Sequence, residues 1–163
     1  MSAAKGFRPD IEGLRAIAIT SVALYHAGVS AVSGGFIGVD LFFVLSGFLI
    51  SGMLVREIET TGRVHLANFW ARRARRLLPA ASVVLLATVL ASTIILAPTL
   101  RTDTANAVTA AALYGANWFF ASNSLDYLAA EDAPSPVLHF WSLGVEEQFY
   151  LVWPMLLLVL GLA

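Results

Sequence analysis

Apolar residues fill this chain in long runs, not in the alternating or three-four spacing of a half-buried element. Residues 16–39 and 77–100 contain no Asp, Glu, Lys or Arg. Runs of that length cross a hydrocarbon core of about 30 Å as a helix of about 20 residues. A soluble protein can bury one such helix, but several in a chain of 163 residues point to a bilayer. The pattern predicts an all-α fold: a polytopic transmembrane helical bundle, here a fragment with four or five membrane segments. Spans are expected at 11–28, 36–55, 79–97 and 139–161. A small-residue turn at 31–35 separates the first two. Residues 56–78 read as a polar connection. Pro79 and Pro98 bracket the third span, the first as a helix-starting proline. Residues 105–121 are Ala-rich and carry Asn106, Thr109 and Asn117. They fit a short span, a re-entrant piece or an interfacial helix, and the acids of 122–136 favour the reading that does not cross. The last apolar segment reaches Ala163 without a polar flank, so the chain is expected to be a fragment.

Composition sharpens this picture. Hydrophobic residues make up 58% and charged residues 13%, the latter about half the usual share. Net charge is −1 and gives no indication of partners. Cysteine is absent, which excludes disulfides, thiolate catalysis and Cys-based zinc sites; no metal site is expected. Lys5 and Arg8 before the first run resemble a signal peptide, but the run is long, carries His26 and lacks a cleavage pattern, so it reads as a retained span. The arginines at 56, 63, 72, 73, 75 and 76 and the basic N-terminus fall on one side if two spans separate them. By the positive-inside rule that side is the cytoplasm. Residues 31–35 and Arg101 then lie outside.

Four blocks carry candidate chemistry. Arg15 and His26 are eleven positions apart, within about 20° of three full helical turns and about 16 Å along the axis. Intramembrane ionisable groups are costly and mark functional interiors or wet cavities. The bland alternative is a snorkelling arginine and an interfacial histidine. The second block, Gly34 to Ile50, opens on glycines that let helices approach closely. Its Asp40 stands near the helix start, where the macrodipole favours an acid, and is close enough in sequence to orient His26. Its Ser46 lacks the Gly-x-Ser-x-Gly elbow of a hydrolase nucleophile. The third block places Arg72, Arg73, Arg75 and Arg76 just before Pro79. Four such residues suit anionic lipid or the phosphates of a nucleotide-like ligand. The fourth runs from His139 to Pro154. There His139 and Glu146 share a helix face with Ser142 close by, and the adjacent Glu147 points about 100° away.

The order and spacing of these blocks resemble the acyltransferase-3 family of membrane acyltransferases over nearly the whole chain. Arg15-x10-His26 is similar to the family's hallmark. Arg73-x-x-Arg76, or Arg72-x-x-Arg75, is similar to its cytoplasmic arginine pair. In Ser-Leu-x-Val-Glu-x-Gln-Phe-Tyr, Glu146 fills the fixed position and Glu147 the variable one. The resemblance implies transfer of an acyl group, often acetyl, from cytoplasmic acyl-CoA to an extracytoplasmic hydroxyl. It implies acceptors such as envelope polysaccharide, lipopolysaccharide sugars, peptidoglycan or glycolipid. It further implies a bacterial cytoplasmic membrane, about ten spans in a whole domain, and in some members an appended SGNH-type domain. His26 would be general base or acyl carrier. Arg15 and the four clustered arginines would hold the CoA phosphates, and Glu146 or Asp40 would tune the imidazole. Two rivals share the residues: a transporter or proton relay, which also needs facing intramembrane charges, and a structural fragment with lipid-bound arginines.

Overall fold

A computed structural model describes residues 8–123 and 134–160. The stretch 122–136, whose acids favoured an outer location, lies mostly outside the described residues, as does the predicted end of the last span at residue 161. The described residues form helices and turns without strands: α1 Pro9–His26, α2 Ile37–Thr61, α3 Leu66–Ile95, α4 Pro98–Ala112, α5 Ala116–Asn123 and α6 Phe140–Val159. Two of these, α2 and α3, are long and apolar enough to cross a membrane. The chain divides into two compact units, Met1–Thr60 and Thr61–Ala163.

In the first unit α1 opens with Pro9 at its first turn together with Asp10 and Glu12, where proline and acids suit the exposed N–H groups. It ends at His26, and two residues on Gly28 turns the chain with a φ of 75°, a conformation glycine adopts without strain. The amides of Gly28 and Val29 turn back onto the carbonyls of Tyr25 and Leu24. After a 3-10 turn at Ser30–Val32, α2 begins against α1. Gly38 makes that contact possible: a Cβ there would sit 2.5 Å from the Ala18 carbonyl oxygen and 2.7 Å from Ser21 Oγ. Gly35 is equally tight, with Tyr25 Cβ 2.8 Å from a built Cβ. The glycines of this block thus let two backbones meet.

In the second unit α3 and α4 are joined by the two residues 96–97 and pack side by side. Thr104, Ala107, Val108 and Ala111 form the buried stripe of α4, at the spacing of one helix face. Leu85 of α3 joins them in a core completed by Ala116, Val137 and Phe140. Two expectations change here. Pro79 does not start a helix but lies inside the 30-residue α3, so residues 66–78 are helical and the arginines stand on the same helix as the apolar run. Residues 105–121 are not one helix either. They break at Tyr114, which has φ 55°, with the Gly115 amide capping the Ala110 carbonyl at 2.8 Å. The outward face of α3 presents Val83, Leu86, Leu90 and Ile94, all well exposed.

Candidate functional site

The candidate side chains of the first unit stand apart from one another, whereas those of the second come together around Arg73. In the first, His26 is the last residue of α1, and its Nδ1 lies 2.8 Å from the Val22 carbonyl oxygen. A carbonyl can only accept, so Nδ1 is the donor of this contact, which leaves Nε2 as the nitrogen available to exchange a proton. The ring is exposed and meets Tyr25 edge-on at 5.4 Å. Tyr25 in turn meets Phe36 at 5.8 Å, so aromatic contacts tie the end of α1 to the start of α2. Arg15 stands on α1 but does not reach His26; it donates to Glu12 at 2.9 Å. Asp40 is exposed on the first turn of α2. Among the described residues no hydrogen bond or ion pair joins it to His26. Ser46 is half-buried on α2.

In the second unit a cavity of about 450 Å³ lies between α3, α6 and the turn after α4. Its polar wall is built on Arg73. That guanidinium donates from Nε (3.0 Å) and from Nη2 (2.6 Å) to one oxygen of Glu147. Both side chains are less than one-fifth exposed. Arg73 also lies over the Tyr150 ring, with Cζ 3.5 Å from the centroid, close enough for a cation–π contact. The Tyr150 hydroxyl donates to Glu146. The glutamate singled out from sequence is therefore held by the tyrosine four residues on, while its neighbour Glu147 reaches α3.

A second link between α3 and α6 has a covalent origin. Pro154 lies inside α6 and has no N–H for the carbonyl four residues back, which belongs to Tyr150. The Trp70 indole donates to that carbonyl at 3.1 Å. Gln148 makes a third connection. Its Nε2 donates to the Tyr114 carbonyl (2.8 Å) and to Asn117 Oδ1 (2.9 Å). Its Oε1 accepts from Asn117 Nδ2 and Trp118 Nε1, both at 3.2 Å. Of the other candidates, Arg72, Arg75 and Arg76 are exposed on α3. His139 is exposed just before α6, tilted against Phe140 at 4.9 Å. Ser142 Oγ donates to the His139 carbonyl at 3.2 Å. Glu147, Gln148, Trp70 and Asn117 were not among the candidate site residues read from sequence. Pro154 was the one available signal, since it exposes the Tyr150 carbonyl. Among the described residues no group of three or more His, Asp or Glu is placed to hold a metal ion.

Comparison with known proteins gives the class of this chain. It belongs to the acyltransferase-3 family: residues 8–163 match that family's acyltransferase domain. It is 44% identical over 151 residues to the peptidoglycan O-acetyltransferase OatA of Listeria monocytogenes serovar 1/2a, covering 93% of this chain and 24% of that protein. To the O-acetyltransferase OatA of Staphylococcus aureus it is 41% identical over 151 residues, covering 93% and 25%. The chain therefore spans about a quarter of the length of the curated relatives it matches. No solved structure matches it. The family match favours acyl transfer over the transporter reading.

Proposed function

We propose that this protein is an integral membrane acyltransferase. It moves an acyl group, acetyl first among them, from acyl-CoA on the cytoplasmic side to a hydroxyl of an envelope carbohydrate on the outer side. The observation that carries this reading is the match of residues 8–163 to the acyltransferase domain. Relatives named as peptidoglycan O-acetyltransferases make peptidoglycan the first acceptor to try. The N-terminus is cytoplasmic, and α1 and α6 join α2 and α3 in the bilayer, giving four or five membrane segments.

His26 acts as the general base. Its Nε2 takes the proton of the acceptor hydroxyl as that oxygen attacks the thioester carbonyl carbon. Collapse of the tetrahedral adduct breaks the carbon–sulfur bond, and the imidazolium returns the proton to the departing CoA sulfur. The Val22 carbonyl supports this by holding Nδ1–H and stabilising the imidazolium. Exposed arginines at the start of α3 face the donor's phosphates, for which guanidinium is suited.

The test is made on the full chain as its gene encodes it, in membranes supplied with acetyl-CoA. Free thiol and acylated acceptor are both measured; these 163 residues contain no cysteine to add background. His26→Gln keeps a polar side chain but cannot titrate, and is expected to lower acylation about 10²–10⁴-fold at matched protein level. Near-normal acylation by His26→Gln would sink the mechanism.

A further inference from the structure

The four clustered arginines divide between two faces of α3. At about 100° per residue, Trp70, Arg73, Ala74 and Leu77 fall within one arc of about 100°, and all four line the cavity. Arg72, Arg75 and Arg76 fall within an arc of about 100° on the opposite side, and all three are exposed. Among the described residues none of those three makes an ion pair. Arg73 differs in every respect. Its charge is matched by Glu147, its plane is covered by Tyr150, and its side chain is 19% exposed.

We infer that Arg73 and Glu147 are positioning residues that clamp α3 to α6, and that the pair meeting the donor's phosphates is Arg72 and Arg75 on the opposite face. The inference rests on the acyl-CoA reading above and decides between the two arginine pairs that spacing leaves open. Two of Arg73's donor groups already converge on one carboxylate oxygen. A phosphate at Arg73 would have to displace Glu147 or approach its carboxylate, and like charges repel. No such obstacle stands before Arg72 and Arg75, which are one turn apart on one face. The Trp70 indole on the Tyr150 carbonyl holds the same two helices one turn away from the ion pair, so the clamp has two points and fixes the rotation of α3. That rotation sets where Arg72 and Arg75 point.

Breaking a half-buried ion pair leaves one charge unmatched, whereas replacing both partners by apolar residues of similar volume removes the conflict. This separates a clamp from a ligand. In the full chain, Glu147→Gln is expected to lower the thermal midpoint in detergent, and Arg73→Met/Glu147→Leu to restore it. The double variant should keep the KM for acetyl-CoA within about twofold of the parent, whatever happens to kcat. Arg72→Gln/Arg75→Gln should leave the midpoint unchanged and raise that KM by about tenfold or more, the loss of charge-assisted bonds to phosphate. If Arg73→Met/Glu147→Leu regains stability but raises the KM as much as Arg72→Gln/Arg75→Gln, Arg73 is a phosphate ligand and the inference is overturned. An unchanged midpoint in Glu147→Gln overturns the clamp. If the parent protein releases no CoA from acetyl-CoA, the donor reading falls, and the midpoints still decide the clamp.

Discussion

The proposed mechanism rests on a single ring nitrogen. With Nδ1 of His26 on the Val22 carbonyl, backbone geometry orients the Nε2 that the proposed mechanism uses, and no carboxylate partner is needed for it. Asp40→Asn is therefore expected to leave acylation within a few-fold of the parent, measured by acceptor labelling at matched levels. Loss as deep as that of His26→Gln would return Asp40 to the machinery. Arg15 is a different case. Its contact with Glu12 is exposed and worth little by itself. If its charge is what matters, Arg15→Lys should stay close to the parent while Arg15→Ala falls; if the planar fork is needed, both should fall together. The sequence made His26 and Arg15 legible because an ionisable side chain in an apolar run is conspicuous. It could not show that Arg15 turns to Glu12, since a shared face does not place two side chains about 16 Å apart in contact.

Helix character was readable from apolar length, but helix borders depended on partners. The basic residues of 66–78 look like a connection because charges are rare inside helices that cross bilayers. They are helical here since one face, with Trp70, Arg73 and Leu77, packs toward α6 while the other stays exposed. The pairing of Arg73 with Glu147 spans 74 positions, and no local pattern encodes which arginine faces inward. Close glycine packing is the opposite case, legible in advance and now given atoms. Gly38→Ala would drive a methyl against the Ala18 carbonyl and Ser21 Oγ. Overpacking of this kind costs about 1–3 kcal/mol, seen as a lower thermal midpoint in detergent. Gly34→Ala is the control, with nothing within 4 Å of its built Cβ. Equal midpoints for the two variants would show that α1 and α2 do not rely on this contact.

At the scale of the molecule, the arginine asymmetry predicts a direction in the membrane. With no native cysteine in these residues, Ser33→Cys and Arg63→Cys can be labelled singly with an impermeant reagent in intact cells. Position 33 should react and position 63 should not; the reverse pattern would invert the topology. The proline in α6 bears on time as well as space. A buried carbonyl without a donor is costly, and Pro154 leaves α6 with such an acceptor at Tyr150 until another helix supplies the donor. The indole that meets it belongs to Trp70, which the ribosome makes earlier. An order of assembly is therefore predicted: α6 is expected to settle beside a helix already made, and Trp70→Phe to leave α6 open to added protease for longer after synthesis.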